Sequence, residues 1–356
     1  MVSNSTLTQP NIKVTCPAPR EVWHCLFKAD PEALPYQSPA WLDCICAGSY
    51  YEDASRLYES QDGRQLLMPL VRRKGWPQLL TTQASLPYGW GIGGLLTSGR
   101  IEKNDLDAVF DDLTRLPYLR TSIRPNPRQG EIWAMTKKTN VVVIPRLAHV
   151  LDLEGGFDKV WAERFERKTR NRIRKAERSG VTVEKDSTGR LIPVFYDLLL
   201  QSLDRWASQQ HEPRWLAHWR GRQRDPLRKF QNIARILGDA CTVWVAWVNG
   251  QAAAADLVLQ YGNVNDSRSA MNKELAGPTE ANDLLMKLMI EDACRAGCRY
   301  YHMGETGMSA TLAHFKSRFG AVAYPYAEYH IERFPITGME SRLRRFVKHF
   351  IGFKDA

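Results

Sequence analysis

Apolar and polar residues alternate in two stretches of the chain, and each stretch is folded back by a two-residue turn signal. Residues 57–60 and 65–71 flank Asp62-Gly63, and residues 242–248 and 251–259 flank Asn249-Gly250. Asp-Gly and Asn-Gly between such runs predict β-hairpins, because both residue types tolerate the positive φ that tight turns need. One hairpin sits centrally in each half, so the pattern predicts two copies of one mixed unit. The glycine-rich 88–94 predicts a close-packed loop, and Pro125-Asn-Pro127 a turn. Residues 140–144 and 149–153 predict two short strands. Trp161, Phe165, Thr169, Ile173 and Ala176 then recur every three or four positions, which predicts one helix ended by Gly180. After the second hairpin, Thr279 is expected to cap a helix reaching about Arg295, with Leu284, Leu285, Leu288 and Met289 inward. A strand over 299–303, a helix over 309–318 and a strand over 321–324 follow. This order predicts an α/β fold, a mixed sheet with flanking helices, with ligands where loops gather at strand ends. The expected divisions are an extension (1–34), two domains (35–145 and 146–335) and a tail (336–356).

Composition narrows the class. With 356 residues, 44% apolar and 25% charged, the chain has room for two cores and is globular rather than disordered. No apolar run approaches the ~18 residues of a membrane span, and residues 1–10 lack the basic flank and apolar stretch of a secretory signal. A cytoplasmic protein is the expectation. Seven cysteines without a CxxC pair argue against a disulfide framework. Cys294, Cys298 and His302 have metal-ligand spacing for one helix face, but Gly297 interrupts that helix, so no metal is expected.

Charge is concentrated in two places. Residues 164–178 carry eight basic and two acidic side chains, and residues 340–354 carry five basic and one acidic; together they match the formal charge of +10. The first segment is either a solvated helix face or a phosphate-binding ridge, for which Lys168, Arg170, Arg172, Arg174 and Lys175 are the candidates. The second places Leu343, Phe346, Val347, Phe350 and Ile351 on one face with arginines opposite. Such an amphipathic basic helix either closes a domain or lies on an anionic membrane surface.

The segment Lys168-Thr-Arg-Asn-Arg-Ile-Arg-Lys-Ala-Glu-Arg-Ser-Gly-Val181 resembles the K-x-R-N-x-[IL]-R-K-A-x-[RK]-x-G-[VL] pattern of Fem-type peptidyltransferases and related tandem GNAT acyltransferases. Pro35-Tyr-Gln-Ser-Pro-Ala-Trp-Leu42 and His314-Phe-Lys-Ser-Arg-Phe-Gly-Ala321 extend the similarity over roughly residues 35–332. The resemblance implies two tandem GNAT-like domains with a cleft between acceptor and donor. It implies amide formation from an activated donor, aminoacyl-tRNA or acyl-CoA as co-substrate rather than a bound cofactor. The acceptor it implies is an amine on a small molecule or a cell-envelope precursor. Lys316 aligns with a functional lysine of the family, and Arg205-Trp206 with a recurring family position. One departure bears on the donor: acyl-CoA enzymes cradle the pyrophosphate on a glycine-rich loop opening a helix, whereas the equivalent 271–280 has one glycine. The expectation therefore leans to a tRNA-borne donor.

Amide formation needs a neutral amine, a stabilised oxyanion and two aligned reactants; no covalent nucleophile is required, and no GxSxG is present. Lys316 is the candidate for the oxyanion or a terminal phosphate, and Glu305 for the amine proton. Asp256 inside an apolar strand, His302, Arg205, Trp206 and Tyr261 are the candidate substrate contacts. A non-catalytic RNA-binding or envelope-associated module is the competing class.

Overall fold

The computed structural model describes residues 12–48, 50–136, 139–307 and 309–353. The first eleven residues of the expected extension and Lys354 of the basic tail lie outside them. An 11-stranded mixed sheet runs through both halves. Its order is Thr182–Asp186, Cys241–Val248, Gln251–Tyr261, Asn263–Met271, Tyr300–Glu305, Val141–Asp152, Val322–Glu332, Arg120–Ile123, Thr82–Ala84, Val71–Arg73 and Tyr51–Asp53. A 4-stranded sheet, Lys13–Thr15, Arg56–Glu59, Gln65–Met68 and Leu96–Thr97, packs beside it. Both hairpins form at Asp62-Gly63 and Asn249-Gly250, where Asn249 has φ 50° and the two glycines 83° and 75°.

The two runs expected over 140–144 and 149–153 are one strand, Val141–Asp152, and the strand expected over 321–324 continues to Glu332. Prolines misled the pattern in both cases. Pro145 lies opposite Ala327 and Pro325 opposite Leu147, so each strand continues past a residue without an amide hydrogen. The boundary expected near residue 145 thus falls inside a strand. Nor does 12–34 stand apart: helix Arg20–Ala29 buries Trp23 and Phe27 in a core shared with Trp41, Phe195, Val243 and Leu257.

The expected helix over 161–178 is broken. A π-turn over Val160–Arg164 ends at Phe165, and the basic helix proper is Arg167–Arg178, burying Thr169, Ile173 and Ala176. That face packs on helix Ala281–Arg295, whose Leu284, Leu285, Met289 and Ile290 are buried beneath it; each such side chain contributes about 1.5–3 kcal/mol by leaving water. Thr279 does not cap this helix. It ends a separate short helix, Lys273–Thr279, and its hydroxyl donates back to the Leu275 carbonyl at 2.7 Å. The residue before the long helix is Glu280, in left-handed conformation. The polar strand Asn263–Met271, unforeseen in the pattern, completes the second unit. No helix among the described residues is long and apolar enough to cross a membrane.

Candidate active site

Strands Asn263–Met271 and Tyr300–Glu305 run parallel but pair only at Val264 with Tyr301 and Asn265 with His302. Past that point the first strand follows the hairpin, Met271 lying opposite Ala254. The second follows Val141–Asp152 through a bulge between His302 and Glu305. Gly304 takes φ 74° in this bulge, where a residue with Cβ would be strained. The two strands part there, and Asp266 and Arg268 of one face Gly304 and Glu305 of the other across a narrow unpaired cleft.

Lys316 closes the bulged wall. Helix Ala310–Ser317, capped by the Ser309 hydroxyl, carries it inward, where it is buried. Its Nζ donates to the carbonyls of Gly304 and Glu305, both at 2.9 Å, and at 3.5 Å to Thr306 Oγ1. An ammonium has three hydrogens, so two hold the bulge and the third makes only a long contact. Burial pulls its pKa from 10.5 down to about 8, against the opposing pull of Asp266 and Glu305. The rest of the motif is structural. Buried Arg318 is ion-paired with Asp283, Phe319 packs between Phe165 and Phe315, and a Cβ on Gly320 would stand 2.5 Å from the Arg164 side chain.

Asp266 was not singled out in the sequence. Loss of surrounding water pushes its carboxyl up to about 6, while Lys316 and the Ser269 hydroxyl pull the other way. Asp256, opposite Ser269 on the neighbouring strand, is fully buried; burial and the charge of Asp266 hold its pKa well above the usual range. The two carboxyls titrate together, and burial with the charge of Asp266 favours the neutral form of Asp256. At the point of splay, Asn265 Oδ1 and both ring nitrogens of His302 are buried with no protein partner among the described residues. Burial, then the charge of Arg128, lowers the His302 pKa to about 3, so it is a neutral imidazole.

Glu305 is already engaged. Tyr326 Oη donates to its Oε1 at 2.5 Å, and Arg124 Nε lies 3.9 Å away while its Nη2 binds Glu328 at 3.0 Å. Tyr36 comes from the N-terminal half with its hydroxyl bonded to Ser267, near Asp266, Arg268 and Glu305. Gly91 makes room for it: at φ 93°, a Cβ there would lie 2.7 Å from the Tyr36 ring. Gly91→Ala is expected to destabilise the fold by about 1–3 kcal/mol and to slow turnover by displacing Tyr36; thermal melts and steady-state kinetics on one preparation check both.

Farther along the cleft, three cations meet one carboxylate. Asp225 binds Lys229 at 2.9 Å, Arg268 at 2.9 Å and Arg224 at 2.7 Å, and Lys229 lies 4.3 Å from the Trp90 ring centre. Arg205 donates to the Met271 carbonyl at 2.7 Å, and Trp206 stacks near both Arg205 and Arg268, at 5.7 and 5.9 Å. Tyr261 is not brought to this cleft; it lies at the closed end of its strand, against Phe27. On the basic helix, Lys168, Arg172, Arg174 and Lys175 are exposed. Arg170 is not part of that ridge. Its Nη1 reaches the carbonyls of Trp161 and Ala162 at 3.0 Å and Phe165 at 2.6 Å, closing the break before the helix.

Residues 163–317 match the acetyltransferase (GNAT) domain family. That match covers the stretch carrying the basic helix, the hairpin and Lys316, and it assigns this part of the chain to the GNAT acetyltransferase class. Among solved structures, FemX is similar at TM-score 0.62 and 12% identity, over 90% of this chain and 97% of that one. The C-terminal domain of a putative lysylphosphatidylglycerol synthetase from Agrobacterium fabrum is similar at 0.53 and 14%, over 90% and 93%. A tandem GNAT protein from the clavulanic acid biosynthesis pathway is similar at 0.50 and 14%, over 90% and 98%. The protein thus has a Fem-like tandem GNAT architecture. None of the curated proteins matches the sequence.

Proposed function

We propose that the protein forms an amide by transferring an aminoacyl group from aminoacyl-tRNA to an amine in cell-envelope or natural-product biosynthesis. The observation that carries the choice of donor is the start of helix Ala281–Arg295. An acyl-CoA pyrophosphate would be cradled there on free amides at the positive end of the helix dipole. In this chain the approach is filled by helix Lys273–Thr279, and Glu280 and buried Asp283 place two carboxylates at the first turn. Asp283 is paired with Arg318 and Glu280 lies 3.7 Å from Lys175, so this helix start already holds its own anions with their cations in place. The exposed Lys168, Arg172 and Arg174 on the adjoining helix supply a phosphate ridge of the kind tRNA backbone contacts use.

In this reading the acceptor amine loses its proton to Asp266 and attacks the ester carbonyl. The tetrahedral oxyanion accepts a hydrogen bond from Lys316, and the carbon–oxygen bond to the ribose breaks as the ribose oxygen takes the proton that Asp266 received from the amine. Asp256 supplies a neutral carboxylic acid beside the base, and Arg224, Lys229 and Arg268 give the acceptor's own anionic group a place to bind.

The test is transfer of labelled amino acids, from a charged tRNA pool with and without RNase, onto a panel of amines beside a labelled acetyl-CoA reaction. RNase-sensitive transfer is expected, and Arg172→Glu with Arg174→Glu is expected to weaken tRNA binding by roughly tenfold or more at low salt. Transfer from acetyl-CoA alone overturns the tRNA donor. The description of residues 163–317 as an acetyltransferase domain favours that second reading.

A further inference from the structure

The tail expected to close a domain does not pack its apolar face. Helix Ile336–Phe350 buries no residue. It is fixed at its root, where the Thr337 amide and hydroxyl donate to Glu332 at 3.0 and 2.5 Å and Glu340 accepts from Arg120 at 3.0 Å. Beyond the root, Met339, Leu343, Phe346 and Phe350 are 65%, 64%, 68% and 83% exposed. Their spacing of four, three and four residues puts them on one stripe. A contiguous stripe of large apolar side chains in water marks a contact surface.

Two further observations identify what it meets. First, more apolar side chains stand in water near the helix root: Leu79, Leu80 and Phe334, all more than half exposed, line one open groove with Glu332 and Arg333. Exposed Trp76 precedes that loop, as do exposed Arg73 and Lys74. Two segments distant in sequence therefore expose large apolar side chains beside the root of this helix. Second, the exposed charges of the helix and its root are basic, Glu332 being engaged by Thr337. Arg333, Arg342, Arg344 and Arg345 are exposed around it, and the one acid of the helix, Glu340, is turned to Arg120. A second copy would bring like charges together. A sheet of anionic headgroups would pair with the arginines while the phenylalanines enter the acyl boundary.

We infer that helix Ile336–Phe350, with the groove at its root, docks the enzyme in the plane of an anionic lipid surface. The helix lies on the membrane and does not cross it. This inference stands independently of the donor.

The full chain is to be sedimented with phosphatidylcholine vesicles with and without phosphatidylglycerol, and sized by light scattering without lipid. Binding to the anionic vesicles is expected to be at least roughly tenfold tighter than to neutral ones and to weaken with salt. Phe346→Asp with Phe350→Asp is expected to abolish it while leaving the melting temperature unchanged, since neither side chain is buried. Binding that ignores phosphatidylglycerol, or that survives the double substitution, overturns the inference. So does a lipid-free dimer that the same substitutions convert to monomer, because the stripe would then belong to a second copy.

Discussion

Lys316→Met is expected to lower turnover by at least roughly tenfold and to remove the alkaline limb of the pH–rate profile. The loss has two sources. The ammonium lies near Asp266 and Glu305, and its third hydrogen makes only the 3.5 Å contact with Thr306 Oγ1; removing a preorganised donor to a developing oxyanion costs about 3 kcal/mol of transition-state stabilisation in comparable sites. The same ammonium holds the carbonyls of Gly304 and Glu305 at 2.9 Å, so without it the bulge that opens the cleft relaxes. The pH profile separates the two. With a pKa of about 8, the charged form is lost as pH rises through 8, and wild-type activity is expected to fall there. The groups facing it are Asp266, Glu305 and His149, the last bonded to Thr306 at 2.6 Å and its pKa lowered by burial and by Lys316. Lys316→Arg keeps a charge to much higher pH and is expected to move the limb upward.

Stability moves the opposite way. The folded lysine releases its proton near 8 and a free one near 10.5, so between those values the unfolded chain binds more protons and stability rises with pH. Lys316→Met is expected to lack that rise. If melts across this range show equal slopes in variant and wild type, the lysine is not titrating as the structure requires.

The parts legible in the sequence are those set by local rules. Asp-Gly and Asn-Gly fixed both hairpins, and Gly180 and Gly297 fixed two helix ends, because only a few residues accept positive φ there. What escaped depended on distant partners. Pro145 and Pro325 read as breaks, yet sit opposite one another's neighbours in a continuous pair of strands. Strand Asn263–Met271 alternates no apolar residues, since one wall of a reactive cleft cannot; its polarity hid the strand and Asp266 with it. Glu305 was visible as a loop carboxylate, but Arg124 and Tyr326, which bind it, lie far away in sequence. Arg170 looked like its neighbours on the basic ridge, and only the broken helix before it explains why its guanidinium turns inward. The tail's stripe was legible as a period of apolar residues; that it stays in water was not, because periodicity specifies a face and not what covers it.

Asp266→Asn should separate catalysis from stability most sharply. A carboxylate near pKa 6 in the cleft is matched to accept an amine proton at neutral pH, and losing a positioned base typically costs 10²–10⁴-fold; a fall of about a hundredfold or more in turnover is expected, together with loss of the acid limb near 6. The fold should not suffer. Because the folded pKa is raised from 3.8 to about 6, the native state binds the extra proton between those values and loses stability as pH rises through them, so at neutral pH the ionised carboxyl is a cost. An amide of the same shape removes that cost, and the melting temperature of Asp266→Asn at pH 7 should equal or exceed wild type. Asp256→Asn supplies the contrast. Burial and the charge of Asp266 favour its neutral carboxyl, an amide reproduces that form's shape and lack of charge, and activity should stay within a few-fold of wild type. Similar losses in both variants would mean that the two aspartates act together as a buried structural pair, and the role of base would pass from Asp266 to another group.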